Sequence, residues 1–124
     1  MLRGSCLCKA VTYQTDQEIA ELVFCHCSFC RKATASAFSV NARIKKENFK
    51  LLTGEEKLLV YSSSPGKDRY YCSSCHSQIF HIQEDLQDLL TLKMGTVDTS
   101  VQDMAQVPIR HIFQDQHFNW LDGQ

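Results

Sequence analysis

The chain has 124 residues, of which 44% are hydrophobic and 22% charged, a composition typical of globular proteins and not of disordered or membrane proteins. Thirteen Lys and Arg against fourteen Asp and Glu leave a net charge of −1 without a long basic block, which argues against nucleic acid as a partner. No stretch approaches the roughly 20 apolar residues that span a membrane, and no signal peptide is apparent. We therefore expect one cytoplasmic domain over residues 1–124 that binds neither nucleic acid nor membrane.

Short apolar or alternating segments separated by turn residues predict a mainly β protein of antiparallel strands with short helical turns. In chain order, the predicted strands are residues 6–14, 20–24, 37–44, 49–52, 57–62, 69–71, 78–82, 89–97 and 109–113. Ser28 is predicted to cap a short helix through Cys30, Arg31 and Lys32, because its hydroxyl can accept hydrogen bonds from amides one turn on. The strands between residues 37 and 62 are expected to pair as a meander, and a helical turn at 100–106 should end before Pro108.

Cysteines are the most informative residues of the sequence, and they fall into three close groups. The first pair is Cys6 and Cys8, the triplet is Cys25, Cys27 and Cys30, and the second pair is Cys72 and Cys75. A reducing compartment keeps thiols free, and an odd number of cysteines does not suit a fully disulfide-bonded monomer. Because such close spacing lets thiolates converge on one tetrahedral zinc ion at Zn–S distances of about 2.3 Å, metal binding is predicted.

Spacing alone leaves open which cysteines share a metal. The first and second pairs could form a closed structural site, which would leave the triplet as a three-ligand site with the open position of catalytic zinc. Alternatively, Cys27, Cys30 and the second pair could form a zinc ribbon, although their separation along the chain exceeds the usual ribbon spacing. Cys27 and Cys30 could also act as a redox dithiol without metal.

The segments around the cysteines form a more specific pattern than any single C-x-x-C motif. They are Gly4-Ser5-Cys6-Leu7-Cys8-Lys9-Ala10-Val11, Cys25-His26-Cys27-Ser28-Phe29-Cys30-Arg31-Lys32 and Tyr71-Cys72-Ser73-Ser74-Cys75-His76-Ser77-Gln78-Ile79-Phe80. In these segments the chain resembles the glutathione-dependent formaldehyde-activating enzyme family, which also contains centromere protein V. The likeness continues through residues 62–66, 95–98, 111–113 and 120–121, and all seven family cysteines are present at matching spacing.

This resemblance implies a β-tent fold that is stapled by zinc. The implied ligands are Cys6, Cys8, Cys72 and Cys75 for a structural zinc ion, and Cys25, Cys27 and Cys30 for a more labile, catalytic zinc ion. The family's named reaction interconverts formaldehyde and glutathione with S-hydroxymethylglutathione, which is a carbon–sulfur lyase reaction run in the synthetic direction. A small thiol or thiol adduct, with glutathione as the type example, is therefore the implied partner.

Some residues near the cysteines depart from the family or have an open role. Ala35 and His76 stand where the family commonly has glycine. Alanine would be strained at position 35 if the backbone there requires a positive φ. Such strain predicts that the loop beside the triplet, and hence the substrate, differ from those of the family. His26 is expected to project away from the metal, because neighbouring side chains of an extended segment point to opposite faces. Four basic residues either contact an anionic substrate or form an ordinary solvated surface: Arg31, Lys32, Lys67 and Arg69.

The sequence thus predicts a zinc-dependent, carbon–sulfur lyase-like enzyme whose catalytic residues are Cys25, Cys27 and Cys30. The alternative is a non-catalytic, zinc-stabilised binding module in which His26 or a partner chain fills the fourth position of the triplet. No residue pattern identifies a general base.

Overall fold

The structure is a computed structural model that describes residues 1–123, and it is mainly β as predicted. Within these residues the strands are β1 Leu2–Ser5, β2 Thr12–Thr15, β3 Leu22–Cys25, β4 Ser39–Lys45, β5 Phe49–Thr53, β6 Leu58–Ser64, β7 Lys67–Cys72, β8 Gln78–Gln83, β9 Leu89–Lys93, β10 Val97–Ser100 and β11 Ile109–Ile112. The α-helix is α1, Ser28–Thr34. Short 3-10 helices lie at Lys46–Asn48, Glu55–Lys57, Glu84–Leu86, Met94–Thr96, Met104–Gln106, Gln114–Gln116 and Asn119–Leu121. No helix in this part of the chain is long and apolar enough to cross a membrane.

The strands form two sheets. A four-stranded sheet has the order β10-β1-β2-β5, and a seven-stranded sheet has the order β11-β3-β4-β9-β8-β7-β6. Neighbouring strands are antiparallel except β11 and β3, which are parallel. The predicted meander between residues 37 and 62 is wrong, because the 3-10 helices Lys46–Asn48 and Glu55–Lys57 carry the chain into the four-stranded sheet and back again.

The hydrophobic core lies between the two sheets. Tyr13 of β2, Ile44 of β4 and Leu92 of β9 are fully buried and belong to one apolar cluster. The ring of Phe49 in β5 stacks on Tyr13 at 5.1 Å and meets Phe80 of β8 edge-on at 5.5 Å, so it packs against both sheets. Burial of aromatic rings of this size supplies much of the stability of a small domain.

The opposite face of the seven-stranded sheet is polar. Paired residues of neighbouring strands share a face, and successive residues alternate between faces. One row of paired residues crosses five strands: Arg43, Thr91, His81, Arg69 and Tyr61. The adjacent row pairs Asn41 with Lys93. We call this side the polar face; Ala42, Leu92 and Phe80, one position along, are paired in the same way and belong to the core.

Three predicted segments differ from the observed strands and helical turns. The predicted strand 6–14 is wrong over most of its length, because β1 ends at Ser5 and β2 begins at Thr12. Between them the Cys6 amide donates to the Val11 carbonyl at 3.0 Å, which closes a turn that carries the first pair. The predicted strand 89–97 is split into β9 and β10 by the 3-10 helix Met94–Thr96. The helical turn predicted over 100–106 forms only at Met104–Gln106.

The predicted helix cap differs from the observed one. Helix α1 begins at Ser28, so the capping position is Cys27 and not Ser28. The Cys27 sulfur accepts a hydrogen bond from the Cys30 amide at 3.3 Å, which satisfies one of the free N–H groups at the start of the helix. The same sulfur atom therefore serves both the local fold and the triplet.

The two residues at which the chain departs from the family it resembles, Ala35 and His76, have left-handed backbone conformations. Ala35 has φ 53° at the end of α1, where its amide donates to the Arg31 carbonyl, and His76 has φ 65° in the turn after the second pair. A side chain in this region is strained because its Cβ crowds the following carbonyl. The helix ends in the turn that glycine favours, so Ala35 bears strain and does not redirect the chain at that residue.

We predict that Ala35→Gly and His76→Gly each raise the free energy of unfolding by about 0.5–1 kcal/mol, because glycine relieves a left-handed residue of its Cβ. Chemical denaturation of the metal-loaded protein measures the change. Ala33→Gly is the matched control, since residue 33 lies within α1 and glycine there should lower stability by about 0.5–1 kcal/mol. Equal losses at positions 33 and 35 would contradict the assignment of strain to Ala35.

Candidate metal centres

The first and second pairs come together as a four-cysteine group. The first pair lies on the turn between β1 and β2, and the second pair lies at the end of β7 and in the turn that follows, so each sheet contributes two cysteines. The four sulfur atoms lie within 4.8 Å of one another, with 3.6 Å between Cys6 and Cys8 and 3.8 Å between Cys8 and Cys72. Sulfur ligands of a tetrahedral zinc ion are separated by about 3.8 Å, so this group could hold a metal ion.

Backbone amides in both turns stabilise the thiolates of the four-cysteine group. The Val11 amide donates to the Cys6 sulfur at 3.3 Å, and the Ser74 amide donates to the Cys72 sulfur at 3.4 Å. Burial raises the pKa of the Cys75 thiol, but hydrogen bonds from Ser77 outweigh it and lower the pKa to about 5. Such outer hydrogen bonds orient metal ligands and favour their deprotonated form.

The triplet forms a second group where β3 meets α1. Cys25 ends β3, Cys27 caps α1 and Cys30 lies in the first turn of that helix, so three consecutive local structures point their sulfur atoms to one place. These sulfur atoms lie within 4.8 Å of one another, with 3.5 Å between Cys25 and Cys27, and all three residues are buried. Cys25 and Cys30 also line a cavity of about 230 Å³. The triplet could therefore hold a metal ion with one position left for a ligand from this cavity.

A hydrogen-bond network extends from the triplet to a buried lysine. Hydrogen bonding to Cys25, then to the Ser39 hydroxyl, and the nearby Lys93 ammonium lower the pKa of the Cys30 thiol to about 4. The hydrogen bond with Cys30, followed by burial, raises the pKa of the Cys25 thiol instead. Lys93 donates to the Asn41 side-chain oxygen at 2.7 Å, and the Asn41 amide donates to the Ser39 hydroxyl at 2.8 Å. The network holds a positive charge beside the thiolates.

The polar face around the triplet is rich in basic groups, and one carboxylate lies near them. Within residues 1–123 the ion pairs are Arg110 with Glu21 and His117 with Asp122. Arg110 and Arg43 both line the 230 Å³ cavity, and the hydrogen bond from Arg110 and the charges of both arginines lower the pKa of Glu21. Burial, followed by the charges of Lys93 and other basic residues, lowers the pKa of His81 to about 2, so its imidazole is neutral. Burial likewise lowers the pKa of Lys93 to about 7. Arg43 and Lys67 also line the 230 Å³ cavity, and their positive charge favours an anionic ligand there.

The four basic residues singled out in the sequence have different surroundings. Arg31 lies over the Phe118 ring at 4.1 Å and its Nε donates to the His26 carbonyl, so it makes structural contacts. Lys67 lines the 230 Å³ cavity beside Cys25 and Cys30. Lys32 and Arg69 line a larger cavity of about 710 Å³ between α1 and strands β6 to β8. Three of the four residues are thus placed to meet a ligand.

His26 is not part of the triplet. Its Nε2 lies 2.9 Å from Nδ1 of His111 in β11, and its ring also contacts Phe38. It is buried rather than solvent-facing, and it points away from the three sulfur atoms as predicted. Nor do Cys27 and Cys30 join the second pair: the cysteines of the zinc-ribbon alternative fall into two different groups.

Sequence reasoning missed the polar residues that surround the triplet. Ser39, Asn41, Lys93 and His81 come from three strands that are distant in sequence, and no local motif joins them. A signal was nevertheless present in β4, where Ser39, Asn41 and Arg43 alternate with apolar residues. Such alternation indicates a strand with a core side and a second, functional or solvated side.

A crystal structure of a protein from Rhodobacter sphaeroides has a similar fold. Its TM-score is 0.67 at 21% sequence identity, and the match covers 86% of this chain and 98% of that one. At this identity the likeness concerns the fold alone. The fold is therefore shared with a solved structure.

Two kinds of sequence comparison, with individual proteins and with a family model, show what the chain is similar to. Proteins of Aspergillus flavus and Aspergillus oryzae, each named as a candidate glutathione-dependent formaldehyde-activating enzyme, are 31% identical over 77 residues. The match covers 60% of this chain but only 40% of either fungal protein. The model of the family described as "Glutathione-dependent formaldehyde-activating enzyme" matches residues 1–116. This match confirms the resemblance noted in the sequence, and the chain belongs to the glutathione-dependent formaldehyde-activating enzyme family.

Proposed function

We propose that this protein is a zinc-dependent, carbon–sulfur lyase-like enzyme that acts on a small thiol or thiol adduct of the glutathione type. One observation carries the proposal: three buried cysteine sulfur atoms converge beside a cavity that two of them line. A closed structural site needs four protein ligands, whereas a catalytic site keeps one position for substrate. Membership of the family supports the same reaction class.

Zinc suits both cysteine groups better than magnesium, calcium or manganese, which prefer oxygen ligands. Cys6, Cys8, Cys72 and Cys75 would hold a structural ion, and Cys25, Cys27 and Cys30 would hold the second ion. When bound at the triplet, zinc would supply positive charge that stabilises a substrate thiolate near neutral pH. All seven cysteines have free thiols, which fits a reducing compartment such as the cytosol.

The residues around the triplet position the reacting end of the substrate. The 230 Å³ cavity has room for a thiol and a one-carbon group beside Cys25 and Cys30. Formation of the adduct joins the thiol sulfur to the carbonyl carbon, and the thiol proton passes to the carbonyl oxygen, so no oxidant or reductant is needed. Lys93 offsets negative charge on the sulfur atoms, and its bond to Asn41 fixes the ammonium in place.

One prediction of the proposed function concerns turnover. Zinc-loaded wild-type protein should interconvert at least one member of a panel of thiol–aldehyde adducts, and Cys27→Ser should lower kcat/KM by about a hundredfold or more, because a ligand of the open site is lost. Ser36→Ala is the control, since Ser36 is exposed beyond α1. A kinetic assay that follows adduct concentration measures both variants.

Measurement of the zinc content shows whether Cys27→Ser loses turnover through the triplet alone. Cys27→Ser should keep one zinc ion per chain in the four-cysteine group and should remain folded. No turnover of any adduct by wild-type protein that carries two zinc ions would contradict the proposed function.

Another prediction of the proposed function concerns metal removal. A chelator added stepwise should remove one zinc ion with little change in Tm, because a three-ligand site binds zinc less tightly than a four-thiolate site. Removal of the second ion should lower Tm by at least about 10 °C, because the four-cysteine group joins the two sheets. Zinc release measured beside thermal unfolding tests both steps. Simultaneous loss of the two ions, or an unchanged Tm after complete removal, would contradict this division of roles.

A further inference from the structure

Arg69 of β7 is a buried cation with unused hydrogen-bond donors. Its exposed fraction is 3%, and its Nε donates to the Ser63 hydroxyl at 2.7 Å. Neither terminal guanidinium nitrogen, Nη1 or Nη2, has a hydrogen-bond partner among the described residues. Burying a charged group without partners is costly, and most buried polar groups in native proteins are paired. The two free Nη groups therefore call for an acceptor that comes from outside the chain.

Gln78 of β8 has the same unusual property beside Arg69. Both polar atoms of its side-chain amide are buried and have no hydrogen-bond partner in the described residues. Gln78 pairs with Tyr71, which lies two residues from Arg69 and thus on the same face of the sheet. All three residues line the 710 Å³ cavity. Two adjacent, unpartnered side chains on one cavity wall indicate a ligand site.

The unused atoms specify the chemistry of that ligand. The two Nη groups of a guanidinium match the two oxygens of a carboxylate, which they can bind side by side. The Gln78 amide adds one donor group and one acceptor, so the ligand should also present an N–H group near its carboxylate. Such a combination occurs at the end of a peptide and in an N-acylated amino acid.

This cavity lies beside the triplet. Ser28 and Lys32 of α1 line it, and the same helix carries Cys30. On the sheet, Arg69 is paired with His81, which lines the smaller cavity together with Cys25 and Cys30. A ligand bound by Arg69 therefore lies on the same face of the sheet as the smaller cavity, one strand away from His81.

We propose that Arg69 and Gln78 form a carboxylate-binding subsite for an N-acylated amino acid or short peptide whose thiol reaches the triplet. The position of the thiol rests on the proposed function, whereas the carboxylate contact rests on Arg69 and Gln78 alone. The cavity thus selects thiols that carry a carboxylate and a neighbouring N–H group over thiols that lack the carboxylate.

Two probe ligands test this selection, because N-acetylcysteine and N-acetylcysteamine differ only in the carboxylate. Titration calorimetry with zinc-loaded wild-type protein should show about tenfold or greater preference for N-acetylcysteine. Arg69→Gln and Gln78→Glu should each reduce that preference to about twofold or less, while the affinity for N-acetylcysteamine stays unchanged. Equal affinity of the wild type for both probes would overturn the subsite.

Lys32→Gln is the matched control, because Lys32 lines the same cavity but is exposed and loses the same single charge. It should keep most of the wild-type preference. A loss in Lys32→Gln as large as in Arg69→Gln would show a general effect of charge and would overturn the specific contact.

Stability separates a ligand-binding role of Arg69 from a structural role. Arg69→Met replaces an unpartnered buried charge by an apolar side chain, so its Tm should equal or exceed that of the wild type. A lower Tm together with an unchanged ligand preference would mean that Arg69 serves the fold, and would overturn the proposal.

A further experiment distinguishes failure of the proposed function from failure of the carboxylate subsite. If neither thiol probe changes the visible spectrum of cobalt-substituted protein, the triplet does not bind thiols, and the proposed function fails. N-acetyl-S-methylcysteine, which has no thiol, then tests the carboxylate contact by NMR. Shifts of the Arg69 Nε–H and Gln78 side-chain amide signals would support the subsite, and unchanged signals at millimolar probe would overturn it.

Discussion

The pairing register of the seven-stranded sheet is the constraint on which the site depends. Ala42, Leu92 and Phe80 meet across three strands and face the core, which forces their neighbours Asn41, Lys93 and His81 onto the other face. A slip of one residue would exchange the two sets and bury basic groups in the core. Core packing therefore places the residues around the triplet, although none of these apolar residues lines either cavity.

The sequence predicted what depends on local spacing and missed what depends on contacts between distant strands. The short helix at Cys30, most strand positions and the three cysteine groups follow from patterns a few residues long. Strand order is different, since β4 pairs with β9 across more than forty residues and β5 leaves for the other sheet. The sequence could not place Lys93 near the triplet, because its hydrogen bond to Asn41 depends on the pairing of β4 with β9. The division of the cysteines was likewise implied by resemblance and not by spacing.

If the triplet holds a zinc ion as proposed, its charge and the charges of the polar face would offset each other. A divalent ion with three thiolates has a net charge of −1, and a substrate thiolate would make it −2. Lys93 and Arg69 are both buried without a carboxylate partner, so each lowers stability when the face is considered by itself. Together with negative sulfur ligands the same residues would become favourable. Under the proposed function, the protein retains locally unfavourable charges where a ligand would use them, as is common at functional sites.

The four-cysteine group also has a kinetic consequence. Cys8 and Cys72 are separated by 64 positions in the chain, and they belong to turns of two different sheets. Closing so long a loop costs conformational entropy before any native contact compensates for it, which makes such contacts slow to form. A metal ion captured early by one pair would recruit the other pair and hold the loop closed while the sheets pack. Metal supply would then set how quickly a newly synthesised chain reaches its native state, as well as how stable that state is.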